Sequence, residues 1–166
     1  ILGYVWQLLL NGLLLQINKT LTYSSVYGFW GLVILMCWQQ IGYMMIIYIA
    51  GIQNIPGELI EAAQIDGANK GQLLKHVIIP MVMPSITICT FLTLTNSFKL
   101  FDQNLSLTAG EPAKMSELLA LNIFNTFYGR TGWEGVGQAK AVVFFILVVG
   151  IGLLQLRVTR SKEVQQ

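Results

Sequence analysis

The chain has 166 residues, 54% of them hydrophobic and 11% charged, with a formal net charge of +2. An ordinary soluble domain carries about 25% charged residues, so this composition points to a membrane protein. The few charges are spread out without a basic run, which excludes nucleic-acid binding as a working reading.

The chain opens Ile1-Leu2-Gly3-Tyr4-Val5-Trp6-Gln7-Leu8-Leu9-Leu10. It has neither a basic n-region nor a small-residue cleavage site, so it does not read as a signal peptide. It reads as the tail of an earlier membrane helix, with residues 1–166 as the C-terminal part of one transmembrane domain in a longer protein.

No Asp, Glu, Lys or Arg stands between Lys19 and Glu58, from Val77 to Phe98, or from Ala141 to Leu156. A spanning helix needs roughly 20 apolar residues. The first window holds one around Phe29–Gly51, the second just fits one, and the third must begin nearer Gly135 and include Lys140. The predicted fold is an all-α integral membrane protein with three transmembrane helices. Cys37 and Cys89 fall inside these apolar segments and are expected to be small buried hydrophobes.

Polar side chains at membrane depth usually face a bundle interior or a cavity. Gln39 and Gln40 lie near the middle of the first span, and Gln40, Tyr43 and Ile47 share a helical face. Amide and phenol groups beside aromatic surface suit sugar hydroxyls and pyranose faces. The second span ends in Asn96, Ser97, Phe98 and Lys99, a second polar cluster. Gln39, Gln40, Tyr43, Asn96 and Ser97 are therefore substrate-path candidates, although hydrogen bonding between helices accounts for such residues equally well.

Between the first two spans lies a long polar segment, 52–79. Pro56 suits a first helical turn, and Glu58 and Glu61 sit near its positive end. Leu59, Ile60 and Ala63 supply an apolar stripe, and small Ala62 and Ala63 let another surface come close. Gly67 can take the left-handed conformation that closes a helix, and a second helix runs through Gly71–Lys75. Pro80 and Pro84 are expected in the first turns of the next span.

Beyond the second span, Gly110 and Pro112 punctuate a turn. Met115, Leu118, Leu119, Leu121, Ile123, Phe124 and Phe127 then predict an amphipathic helix of about 14 residues at the outer interface. Lys70 and Lys75 in the loop, with Arg157, Arg160 and Lys162 in the tail, place both segments on the cytoplasmic side. His76, the single histidine, has no neighbouring ligand cluster and reads as an interfacial residue, so no metal site is expected. No phosphate-binding Gly-x-x-x-x-Gly-Lys-Ser/Thr loop is present, and no catalytic constellation.

Glu61-Ala62-Ala63, Gly67 and Pro80 stand in register with the "EAA loop" of ABC importer permeases, with Val77 and Ile79 replacing the usual Ile and Leu. The wider run Ile55-Pro56, Glu58-Leu59 and Ile65-Asp66-Gly67-Ala68 resembles the carbohydrate branch, the maltose- and multiple-sugar-type permeases. Ser97-Phe98, Phe101-Asp102, Leu107-Thr108 through Pro112, and Leu153-Leu154-Gln155-Leu156-Arg157 resemble later segments of that branch. Glu111 and Lys140 depart from it, where a glycine and a small residue are commoner.

The resemblance implies a type I ABC importer permease core in the prokaryotic plasma (inner) membrane, multi-pass, with the loop and the C-terminus cytoplasmic. Glu58, Glu61, Ala62, Ala63, Asp66, Gly67 and Pro80 would form the coupling helix–turn–helix that docks on a separate ATPase. The implied partners are two ATPase subunits, which carry ATP and magnesium, a second and different permease subunit, an extracytoplasmic solute-binding protein and the lipid bilayer. This chain itself would bind no cofactor and would not be an enzyme. The implied cargo is a sugar or oligosaccharide. Competing readings are an importer permease for an amino acid, phosphate or polyamine, a membrane-embedded enzyme, and a structural anchor.

Overall fold

The computed structural model describes residues 2–17 and 19–161. Ile1, which begins the predicted helix tail, and Lys162, counted in the basic tail, lie outside the described residues. In chain order the elements are α1 (Leu2–Leu15), α2 (Ser25–Gln53), α3 (Gly57–Ile65), α4 (Lys70–Leu73), a π-helical stretch (Leu74–Ile78), α5 (Ile79–Phe98), α6 (Phe101–Leu107), α7 (Leu119–Tyr128) and α8 (Glu134–Arg160).

Three stretches are long and apolar enough to cross a membrane: Ser25–Gln53, Lys70–Phe98 and Glu134–Arg160. At 1.5 Å per residue α2 is about 43 Å long, more than the roughly 30 Å of a bilayer's hydrocarbon core. In the most apolar window of the last span only 6% of residues are buried within the chain. Phe145, Ile146, Leu153 and Leu154 are all more than 60% exposed. So large an apolar surface calls for lipid or further membrane helices against it. The third span begins at Glu134 and includes Lys140, as the charge pattern predicts.

The chain divides into two compact units, Ile1–Gln39 with Thr95–Val149 and Gln40–Leu94 with Gly150–Gln166. In the first, α1 packs on α6, and the core is Leu10, Leu21, Leu32, Leu35 and Leu107, flanked by Trp6, Leu14 and Leu118. Asn11 Oδ1 accepts the Leu21 backbone N–H at 2.8 Å and fixes the chain between α1 and α2. Before α2, the Lys19 ammonium donates to the Tyr27 hydroxyl at 2.9 Å and lies over the Tyr23 and Tyr27 rings. An amphipathic anchor of this kind suits a membrane–water interface.

The segment after α5 holds two departures from expectation. A short helix, α6, occupies Phe101–Leu107, which sequence reading left as loop. The amphipathic helix starts at Leu119 rather than near Met115, because residues 108–118 are bound into a buried polar node. Asn104, fully buried, donates to Thr108 Oγ1 at 3.1 Å and to the Ser116 carbonyl at 2.8 Å. Its Oδ1 accepts the Leu118 N–H at 2.9 Å. Ser116 Oγ donates to the Glu111 carbonyl at 2.6 Å. With these groups bonded to one side chain, the backbone up to the extended Leu118 forms turns instead of helix.

Helix α7 is tied to α8 by charge. Lys140 Nζ donates to Asn122 Oδ1 and Thr126 Oγ1, each at 2.8 Å. The Glu117 carboxylate accepts from Asn122 Nδ2 at 2.7 Å and Asn125 Nδ2 at 2.5 Å. Gly137 lets the helices approach, since a Cβ there would lie 2.9 Å from Phe127 Cβ. Burial pushes the Glu117 carboxyl up, but the amides of Asn122 and Asn125 and the cations Lys114 and Lys140 outweigh it and hold it below its ordinary range.

A carboxylate with a depressed folded pKa stabilises the fold above its unfolded pKa, and that contribution disappears as pH falls through the folded value. Acidification below the ordinary carboxylate range is therefore expected to lower the melting temperature of the wild type more than that of Glu117→Gln. Thermal melts at neutral and acidic pH check this, and equal losses in the two proteins would refute it.

Lys70–Phe98 runs as one helix, in which the π-helical stretch joins α4 to α5. Pro80 lies in the first turn of α5, as expected, and Pro84 lies inside that helix. Pro80 has no N–H for the His76 carbonyl, and its ring would crowd that carbonyl in a regular α-helix. The adjoining π turn, where Ile79 N–H bonds to the Leu74 carbonyl, is wider and accommodates the proline. Cys89 is buried as expected and donates weakly to the Met44 carbonyl at 3.9 Å. Cys37 is exposed, contrary to expectation.

Candidate functional site

The polar segment between α2 and α5 is rigid for local reasons. Pro56 opens α3 with φ −59° and ψ 128°, values that its ring favours. Glu58 lies in the first turn, where the helix dipole favours an acid. At the other end Gly67 has φ +81°. Its N–H donates to the Gln64 carbonyl at 3.0 Å, and the Ala68 N–H donates to the Ala63 carbonyl at 3.0 Å. These two bonds are the Schellman pattern, which satisfies the orphan carbonyls of the last turn.

Two residues later Asn69 caps α4. Asn69 Oδ1 accepts the Gln72 N–H, and Gln72 Oε1 accepts the Asn69 N–H, both at 2.9 Å. This capping box was legible as Asn-x-x-Gln, and sequence reading missed it. His76 lies in the π stretch with Nδ1 at 3.2 Å from the Gln72 carbonyl. Ala63, Asp66, Gly67, Ala68, Gln72, His76 and Val77 line an open cleft of about 400 Å³.

Of the residues singled out from sequence, Glu58 lies in the first turn of α3, Asp66 and Gly67 close that helix, and Pro80 lies in α5. Glu58, Glu61, Ala62, Asp66 and Gly67 are exposed, while Ala63 and Pro80 are half-buried. Around the carboxylates the apolar Leu59 and Ile65 are 43% and 86% exposed. Glu58 and Glu61 stand three residues apart on one face, where like charges repel.

The substrate-path candidates lie on α2 and at the end of α5. Gln39 is exposed and its Oε1 accepts from Gln103 Nε2 at 3.1 Å. Gln40 is half-buried and Tyr43 exposed along the same helix. Asn96 and Ser97 are half-buried in the last turn of α5. Gln103 was not anticipated, because its partner lies 64 residues away in sequence. The Arg130 guanidinium lies over the Trp133 ring at 4.9 Å. Among the described residues no cluster of three or more metal-ligating side chains occurs.

Three apolar helices with a rigid polar helix–turn–helix between the first two define an all-helical, multi-span membrane protein of the permease type. The chain belongs to the family described as binding-protein-dependent transport system inner membrane component, whose model matches residues 4–163. It is 43% identical, over 99% of its length and 59% of the relative's, to the "Probable starch degradation products transport system permease protein AmyD" of Thermoanaerobacterium thermosulfurigenes. It is 31% identical, over 84% of its length and 47% of the relative's, to the "Trehalose/maltose transport system permease protein MalF" of Thermococcus litoralis. The chain thus spans about half the length of these relatives. The fold matches one chain in the crystal structure of a bacterial ABC transporter involved in the import of the acidic polysaccharide alginate. That match has a TM-score of 0.72 and 19% identity, and covers 92% of this chain and 55% of the other.

Proposed function

We propose that this chain forms part of the permease subunit of an ATP-driven, binding-protein-dependent importer for a sugar or oligosaccharide. The observation that carries the coupling role is the loop itself. It is an exposed helix, with Ile65 86% exposed, closed at its C-terminus by the bonds of Gly67 and Ala68 and followed at once by the Asn69–Gln72 capping box of α4. A loop held by local hydrogen bonds in this way transmits force, because a flexible loop would absorb any movement imposed on it. Docked on a separate ATPase, α3 passes nucleotide-driven closure through the continuous helix Lys70–Phe98 to the solute path, alternating access between the two sides.

ATP hydrolysis then belongs to two partner ATPase subunits. A second permease subunit completes the pathway, and an extracytoplasmic receptor delivers the solute. Loop and C-terminus face the cytoplasm across a prokaryotic inner membrane, as the Lys/Arg bias suggests. The saccharide class rests on the relatives named for starch products and trehalose/maltose and on uncharged polar candidates: Gln39, Gln40, Tyr43, Asn96 and Ser97.

The test uses the full-length subunit reconstituted with its partner permease, ATPase and receptor. Glu61→Lys and Gly67→Val are each expected to abolish maltotriose uptake and ATPase association while the protein still inserts. Persistence of both uptake and association in either variant would refute the coupling role.

A further inference from the structure

The bond between Gln103 and Gln39 joins α6 to α2 within one compact unit. Both residues carry uncharged amides, and the bond is solvent-open instead of buried in a helix contact. Each amide also has further bonding capacity, since a primary amide offers two donors and a two-lone-pair acceptor. Lipid would leave that capacity unsatisfied at a cost, so an open amide pair between a spanning helix and the short α6 belongs against water or a polar ligand. Leu105, two residues along α6, is 44% exposed and carries no polar atom, so α6 offers both an amide and an apolar side chain to its surroundings.

We propose that Gln103 is a solute-path residue, and that with Gln39 it forms an amide clasp whose groups exchange their mutual bond for the hydroxyls of a passing saccharide. This rests on the transport reading above and adds a residue to its path. The exchange keeps the number of hydrogen bonds nearly constant. One amide–amide bond is broken, and each amide gains a hydroxyl that can both donate and accept. An uncharged hydroxylated solute can satisfy both amides, whereas a cation or an anion could bond to only one end of each.

The clasp makes two demands. Gln103 must face water in the assembled transporter, and Gln39 and Gln103 must act as one unit. The first is tested in the complete transporter, in a Cys37→Ala/Cys89→Ala background, with a hydrophilic, membrane-impermeant thiol reagent. Gln103→Cys is expected to react at least tenfold faster than Leu105→Cys, because the thiolate forms in water and not in lipid. Equal rates would overturn the proposal. The second is tested by uptake of radiolabelled maltotriose alongside receptor-stimulated ATP hydrolysis. Gln103→Leu is expected to cut uptake about tenfold, the scale of one lost hydrogen-bonding partner, with ATP hydrolysis retained and uptake largely restored in Gln103→Asn.

Gln39→Leu should do the same, and the double variant should lose no more than either single, as expected for residues acting together. Additive losses, or a parallel fall in ATP hydrolysis, would overturn the clasp and assign Gln103 to helix packing. If the wild type transports no maltotriose while Gln103→Cys still reacts selectively, the saccharide reading fails and the water-facing placement stands.

Discussion

Replacing Gly67 by valine is expected to abolish transport, while replacing it by asparagine should leave most of it. At φ +81° a β-branched residue meets the steric penalty of the left-handed region, roughly 1–2 kcal/mol per residue for an ordinary side chain. Asparagine tolerates that region, because its short side chain bonds locally. No heavy atom lies within 4 Å of a Cβ built at this position. Crowding therefore cannot explain a difference between the two variants, and backbone conformation can. If the valine backbone relaxes, the bonds from Gly67 and Ala68 to Gln64 and Ala63 break, and α3 loses its fixed angle to α4. Uptake and ATPase association measured for both variants decide the matter. Equal activity would mean that the turn's handedness is irrelevant to coupling.

The second large effect lies in the other unit. Asn104→Leu removes one donor amide and one acceptor from a fully buried node, leaving the Ser116 carbonyl and the Leu118 N–H without their partner. Each buried group stranded in this way costs about 1–3 kcal/mol, so the substitution is expected to destabilise the protein by about 3 kcal/mol. The loss should appear as a lowered melting temperature of the purified complex. It should also appear as faster proteolysis within 108–118, where Ala109, Ala113 and Lys114 take positive φ angles that only a fixed surrounding structure sustains. Asn104→Ala should behave alike, while Asn125→Ala, which removes a single half-buried donor to Glu117, should cost far less. A melting temperature unchanged in Asn104→Leu would show that the node does not hold the loop.

The sequence was most informative where structure is local. Charge-free windows set the three spans, because a bilayer tolerates few charges in any apolar stretch of sufficient length. The loop was equally legible: Pro56 at a helix start and Gly67 at a helix end act through bonds to residues three to five positions away. The Asn69–Gln72 box belongs to the same kind, and attention to capping would have found it. The carbohydrate-permease resemblance rested on these same local features and agreed with the family match over residues 4–163.

Tertiary structure decided the rest, for reasons of distance along the chain. The helical pattern of Met115 and Leu118 was real, yet Asn104, at least ten residues away, took the backbone bonds that a helix there would have used. Pro80 read as a helix start and does stand in the first turn of α5, but the upstream π turn that carries the helix into it was not legible in sequence. The Gln39–Gln103 clasp depends on two helices meeting, and nothing in either helix's own sequence announces the other. Sequence by itself determined which segments enter the membrane and how the loop turns, since hydropathy and backbone handedness act within a few residues. Which polar side chains meet was decided by packing alone.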